Sequence, residues 1–182
     1  MASCLGIMGF IAAVEGDLAR GEAMCEQALR HAREYGDPNV IAWNFLDLAA
    51  VRLCQGNYSE VTKLCSESLK ERSDSVKSRE CVAVALQLLA AVAVGYGRFD
   101  RALRLFGAAS MHYEVNSPAF WLWDRLIRER QQSARSSLPG ATVDAAFEAG
   151  RAMTIDEAVA YGVEAVPTYT ETAPDAVTLA HA

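Results

Sequence analysis

The sequence lacks the short motifs on which most enzyme active sites are built. Its 182 residues contain no His-Glu-x-x-His zinc motif, no Gly-x-Ser-x-Gly nucleophile motif and no glycine-rich fingerprint for dinucleotides or phosphates. The three histidines, His31, His112 and His181, are far apart in the chain. Asp156 and Glu157 are neighbours, so on a helix their carboxylates point apart and favour its positively polarised N-terminus. We therefore expect a protein that is not an enzyme and that uses no metal or cofactor.

The sequence also lacks paired cysteines. None of the five (Cys4, Cys25, Cys54, Cys65 and Cys81) forms a Cys-x-x-Cys pair, which a zinc site usually shows. Each lies within an apolar helical pattern, where a thiol behaves as a small hydrophobic group. We expect reduced structural thiols and a cytoplasmic location.

The chain has no excess of positive charge, because 17 Lys and Arg residues stand against 23 Asp and Glu residues. The resulting net charge of −6 opposes a nucleic-acid surface over the whole molecule. Four arginines cluster in the C-terminal part: Arg125, Arg128, Arg130 and Arg135. Because Asp124 and Glu129 are interleaved with them, we expect a solvated helix face with local ion pairs and no direct contact with nucleic acid.

Long apolar runs of the kind that enter membranes are scarce. Residues 2–14 are nearly apolar but lack the basic start of a signal peptide. The uncharged run 81–97 is at the lower limit for a membrane span, contains Gln87 and has charged residues just outside both ends. It also falls where a buried helix is needed by the repeat described next, so we expect a core helix and no membrane contact.

What the sequence does contain is an internal repeat marked by Gly16, Gly56 and Gly97, which are 40 and 41 residues apart. A hydrophobic residue follows each glycine by two positions, and a mostly small residue follows by five: Leu18, Tyr58 and Phe99, then Gly21, Val61 and Ala102. A fixed period of this size with helical spacing inside each unit is typical of an α-solenoid. We expect an all-α fold of helix–turn–helix units at about 1–36, 37–74 and 75–115, with each turn at its glycine.

The C-terminal part departs from this period. We expect one long helix from Pro118, a short helix near 143–150, and a last helix that Thr154 and Glu157 begin as a capping box. These helices would form a cap over 117–165 that completes one domain spanning 1–165. Residues 166–182 show no periodicity, and we expect a flexible tail there.

The repeat resembles the tetratricopeptide repeat over about residues 3–114. The matching positions are Leu5, Gly9, Leu48, Ala49, Leu89 and Ala90 on the first helices, and Gly97, Phe99, Ala102, Phe106 and Ala109 on the second. The period exceeds the family's usual length of about 34 residues, which implies longer helices. Arg52 departs from the pattern, because the family places an aromatic or small residue there.

The segment from 101 onward resembles the C-terminal end of large bacterial multidomain transcriptional regulators, which join a signal-transduction ATPase module to a tetratricopeptide-like array and often to a LuxR-type domain. The matching residues are Leu105, Gly107, Ala108, Ala109, Phe147, Gly150, Arg151, Thr154, Glu157 and Ala158. The resemblance implies a sensor or interaction region of such a regulator, present here as a fragment or a short stand-alone relative. It carries over neither ATPase nor DNA-binding activity, since the chain has no phosphate loop and no helix-turn-helix after Gly162.

In stacked repeats the first helix of each unit lines the concave side. The candidate partner-binding residues on or near that side are Phe10, Trp43, Asn44, Asp47, Gln87 and Trp121. A tryptophan beside an amide and a carboxylate suits a peptide or a small polar ligand, although Trp43 could equally pack against the preceding repeat. Trp121 and Trp123 are two residues apart and cannot share a narrow helical stripe, so we expect one to pack on the third repeat.

We therefore expect a helical-repeat domain that binds a protein or peptide partner, another domain of its parent regulator, or an effector on its concave surface. A first alternative is a small-molecule inducer module, which an enclosed pocket around Trp43, Asp47 and Gln87 would favour over a wide groove. A second alternative is a self-associating domain, in which two copies form a homodimer to cover the apolar segment 1–14.

Overall fold

The computed structural model describes residues 2–71, 76–112 and 120–164, and within these ranges it contains nine helices and no strand. The expected all-α class is confirmed for this part of the chain. The helices are α1 (Ala2–Val14), α2 (Leu18–Tyr35), α3 (Pro38–Cys54), α4 (Tyr58–Lys70), α5 (Val76–Gly95), α6 (Phe99–Ser110), α7 (Phe120–Ser136), α8 (Gly140–Arg151) and α9 (Ile155–Val163). The expected boundary between units at 74–75, the helix start at Pro118 and the tail at 166–182 lie outside the described residues.

The three repeat glycines form the turns between α1 and α2, α3 and α4, and α5 and α6, as predicted. Gly16, Gly56 and Gly97 have φ values of 98°, 73° and 69°, in the left-handed region that other residues rarely adopt. In the first two turns the next residue caps the following helix, because Asp17 and Asn57 accept a hydrogen bond from a backbone N–H in the first turn. The repeated glycines thus mark the positions at which the chain reverses direction.

The first six helices pack in chain order around one hydrophobic core. In the first pair, Gly9 and Gly21 bring the two backbones together: a Cβ atom on Gly21 would lie 2.7 Å from the Gly9 carbonyl oxygen. Next, α3 packs on both α1 and α2, and α5 packs on both α3 and α4. In α5 every side chain from Cys81 to Ala93 except Gln87 is buried, which confirms the predicted core helix. Among the described residues, no helix is long and apolar enough to cross a membrane.

Arg52, which departs from the tetratricopeptide pattern, ties α3 to α2. Its guanidinium lies 2.7 Å from a carboxylate oxygen of Glu22 and 3.2 Å from one of Glu26. Gln55 donates to Glu22 at 2.6 Å. The hydrogen bonds from Arg52 and Gln55 lower the pKa of the Glu22 carboxyl. A polar contact therefore joins α2 and α3 at Arg52.

The last three helices pack on α5 and α6. Helix α8 packs on α6 through Gly107 and Gly150, each of which faces the backbone of the other helix. Helix α9 packs on α5, where Gly162 would place a Cβ atom 3.1 Å from side-chain atoms of Leu86 and Leu89. The predicted capping box at Thr154 is present at the start of α9. The core of the array thus continues into helices that do not follow its period.

Arg101 of α6 holds the C-terminal end of α9. Its guanidinium donates to the carbonyl oxygens of Tyr161 at 2.5 Å and Glu164 at 2.9 Å, and lies 4.5 Å from the centroid of the Tyr161 ring. A helix leaves its last carbonyl groups without helical partners and carries partial negative charge there. The cation of Arg101 supplies both the hydrogen bonds and the opposite charge.

We expect Arg101→Met to loosen α9 while keeping most of the apolar contact of the side chain. Hydrogen bonds from a charged donor contribute about 2 kcal/mol, so the amides of α9 should exchange with deuterium roughly thirtyfold faster. Hydrogen exchange followed by mass spectrometry checks this. Arg104→Met is the matched control, because Arg104 pairs with Asp100 within α6. Unchanged exchange in α9 would mean that its apolar contacts alone hold the helix.

Candidate functional site

Asn44 and Asp47, two of the predicted binding residues, lie in the interface between α3 and α1. Asn44 is 0% exposed and Asp47 is 4% exposed. Both face Gly6 of α1: a Cβ atom on this glycine would lie 2.8 Å from Asn44 Oδ1 and closer still to Asp47 Oδ2. The absence of a side chain at Gly6 is what admits the two polar groups. We name Gly6, Asn44 and Asp47 the buried polar cluster.

Burial favours the protonated, neutral form of the Asp47 carboxyl. Desolvation by burial raises its pKa to about 8, and no described residue forms an ion pair or hydrogen bond with it. Asn44 donates from Nδ2 to the Val40 carbonyl oxygen at 2.7 Å, while its Oδ1 has no donor. A neutral carboxyl carries a proton that it can donate, so the arrangement provides one donor near one unpaired acceptor.

The buried cysteines around this cluster are unsuited to covalent chemistry. Burial, and next the charge of Asp47, raise the pKa of the Cys25 thiol to about 12. Burial also raises the pKa of the Cys65 and Cys81 thiols. Because the thiolate is the nucleophile, these protonated thiols are inert near neutral pH. Cys25 uses its S–H in a 3.5 Å contact with the carbonyl oxygen of Gly6.

Phe10, a third predicted residue, lies beneath α7. Its ring and that of Trp123 are 4.3 Å apart between centroids and inclined by 44°, and the two side chains are 1% and 4% exposed. Helix α7 also packs on α5 and α6, and Arg135 near its end lies 5.0 Å from the ring centroid of Phe147 on α8. Helix α7 therefore extends from α1 toward α8. We name the side of α1 and α5 on which α7 packs the first-helix face.

Among the described side chains, Trp43 and Gln87 form no hydrogen bond with the buried polar cluster. Trp43 is partly buried and packs against the core, and the side chain of Trp121 lies outside the described residues. Gln87 is one residue before Leu88, the repeat equivalent of Asp47, and its buried Oε1 has no donor among the described residues. The structure thus brings Asn44 and Asp47 together and places Phe10 separately, against α7.

Sequence reasoning missed Gly6 and the contact between Phe10 and Trp123. The sequence repeat contained a signal for Gly6. The equivalent positions in the other two units are Leu46 and Gln87, so a glycine stands where those units have a larger residue. The second has no such signal, because residues 10 and 123 are far apart in the chain and outside the period. One tryptophan was expected to pack on the third repeat; Trp123 contacts Phe10 of α1, and its helix α7 also packs on α5 and α6.

The arginine-rich stretch of α7 is partly neutralised by its own helix. Arg128 pairs with Asp124, and Arg130 donates to the carbonyl oxygen of Leu126 at 2.8 Å. Asp124, Arg125 and Arg128, with a neighbouring glutamate, line an open surface depression of about 300 Å³. Within the described ranges, no group of three His, Cys, Asp or Glu side chains could hold a metal ion.

A scan against models of protein families, a search of curated proteins and a search of solved structures gave no match to this chain.

Proposed function

We propose that the chain is a helical-repeat interaction domain, built of tetratricopeptide-like hairpins, whose first-helix face binds a helical segment of a partner. Three features support the hairpins: the equivalent turns at Gly16, Gly56 and Gly97, the close approach of Gly9 and Gly21, and the packing of each hairpin on the next first helix. The resemblance of the C-terminal part suggests that the parent protein is a bacterial transcriptional regulator, in which this domain serves as a sensor or interaction region.

The contact between Phe10 and Trp123 carries the proposal. It shows that an aromatic side chain on an amphipathic helix can be buried against the first-helix face at 4.3 Å between ring centroids. Helix-in-groove recognition uses the same chemistry, with apolar anchors at helical spacing in a hydrophobic groove. On α7 the buried residues Leu122, Trp123, Leu126 and Ile127 follow this spacing. The partner that fits is therefore an amphipathic helix with an aromatic anchor, either α7 itself or a competing segment.

An enclosed small-molecule pocket is supported less well. It would require Trp43, Asp47 and Gln87 to line one cavity. Asp47 faces Gly6 of α1, whereas Gln87 occupies the repeat position of Gly6 itself. An interaction domain does not require these three side chains to line one cavity, because its partner would bind along the first-helix face.

The proposal is tested by supplying helix α7 as a separate peptide. We expect Trp123→Ala to lower the melting temperature by uncovering Phe10, and a synthetic peptide of residues 120–136 to restore part of the loss. The binding should saturate in an isothermal titration calorimetry experiment, which needs no tryptophan signal from either molecule. The same peptide with alanine at position 123 is the control ligand, and Trp43→Ala is the control protein.

Two results would contradict the proposal. The first is a wild-type peptide that binds Trp123→Ala no better than the alanine-containing peptide. The second is that the wild-type peptide binds Trp43→Ala as tightly as it binds Trp123→Ala. In Trp43→Ala the helix α7 keeps its aromatic anchor and should exclude the peptide.

A further inference from the structure

The helices that precede and follow α7 in the chain pack directly on each other. A Cβ atom on Gly107 of α6 would overlap the carbonyl oxygen of Phe147, and one on Gly150 of α8 would overlap that of Arg104. The two backbones are therefore in contact, and the chain returns to α6 after forming α7. Helix α8 is thus attached by a contact in which α7 takes no part.

Helix α9 is also attached independently of α7. It packs on α5, where Gly162 lies close to Leu86, and Arg101 of α6 donates to carbonyl oxygens at its C-terminal end. Both helices that follow α7 can therefore keep their places when α7 moves. Only residues 137–139 separate α7 from α8, so these three residues are where the chain would bend.

Helix α7 itself contacts the array through side chains. The Trp123 ring lies on the Phe10 ring, and the guanidinium of Arg135 lies 5.0 Å from the centroid of the Phe147 ring. The hydrogen bonds donated by the described side chains of α7 all end within α7, and the donors are Arg128, Arg130 and Ser136. Apolar side-chain contacts of this kind can be exchanged for those of another amphipathic helix.

We propose that α7 is an autoinhibitory helix, which occupies the first-helix face and must turn away about residues 137–139 before a partner helix binds there. The inference rests on the proposed function, since the partner that α7 excludes is the amphipathic helix proposed above. Because α7 belongs to the same chain, its effective concentration at this face is high. The apparent affinity for a partner is then reduced by the fraction of molecules in which α7 is open.

Hydrogen exchange of the whole chain, followed by mass spectrometry, tests whether α7 opens alone. We expect the amides of α7 to exchange at least about tenfold faster than those of α6 and α8. Trp123→Ala should speed exchange in α7 by about a further hundredfold and leave α8 and α9 unchanged. Tyr96→Ala, which removes a ring contact with Tyr58 of α4, is the control and should not affect α7. One common rate for α6, α7 and α8 would overturn the proposal, because the three helices would then open together.

A second measurement connects the opening of α7 to binding. The synthetic peptide of residues 120–136 is titrated by calorimetry into the wild type and into Trp123→Ala. While α7 is closed in most molecules of both proteins, Trp123→Ala should tighten binding by the same factor by which it speeds exchange in α7. Tighter binding with unchanged exchange in α7 would overturn the autoinhibition and leave the proposed function standing. Binding to neither protein would overturn the proposed function, and the autoinhibition with it.

Discussion

Replacing Asp47 by asparagine is expected to make the protein more stable than the wild type at pH 8, by an amount that shrinks as the pH falls. Burial raises the pKa of this carboxyl from 3.8 to about 8 in the folded protein. The folded state therefore holds a proton that the unfolded state releases between these values, so wild-type stability falls as the pH rises through this window. Asparagine has nearly the same shape and stays neutral at every pH, so it avoids the cost of an ionised carboxylate in this buried position.

The difference between the two proteins should grow by about 1.4 kcal/mol per pH unit, or about 4 kcal/mol between pH 5 and pH 8. Urea unfolding at several pH values measures it. Other titrating groups are common to both proteins and largely cancel in the difference. Asp144→Asn, at an exposed position on α8, is the control and should show a much smaller pH dependence. Parallel profiles for wild type and Asp47→Asn would mean that Asp47 is ionised in the folded protein.

Replacing Gly150 by alanine is expected to separate α8 from α6 and to lower stability by about 3 kcal/mol. A Cβ atom at this position would overlap the carbonyl oxygen of Arg104 and lie 2.9 Å from its Cα atom. Both are backbone atoms, so no side-chain rotation can relieve the contact and the helices must move apart. For a chain of this size the melting temperature should fall by about 8 °C.

Gly140→Ala is the matched control on the same helix. A Cβ atom there would meet nothing within 4 Å, so the change should be neutral or slightly stabilising. Gly107→Ala tests the reciprocal contact, where the overlap is with the carbonyl oxygen of Phe147. If Gly150→Ala were as stable as Gly140→Ala, the α6–α8 interface would have to be wider than the structure shows.

The helices and turns could be predicted because their signals are local. The left-handed conformation at Gly16, Gly56 and Gly97 and the capping box at Thr154 depend on groups within a few residues. Pro38 likewise lies in the first turn of α3, where its missing N–H costs nothing. Hydrophobic spacing then identified α5 as a core helix despite its resemblance to a short membrane span.

The candidate site was only partly predictable. The sequence singled out Asn44 and Asp47 as candidate binding residues beside Trp43 on the concave side, but it did not predict their burial against α1. That burial depends on Gly6, which is far from both in the chain and whose missing side chain makes room for them. The pKa of Asp47 follows from this packing and from the lack of a described cation beside it.

The sequence by itself determined which segments are helical, where the chain reverses and which side of each helix is apolar, since these properties arise from backbone preferences and side-chain periodicity over one or two turns. Only the tertiary structure decided what each apolar side packs against. It placed Trp123 on Phe10, and it left Ile7 and Met8 of α1 exposed while burying the residues at the equivalent positions of α3 and α5. Such contacts join residues that are distant in the chain, so periodicity shows that a surface needs cover without showing what covers it.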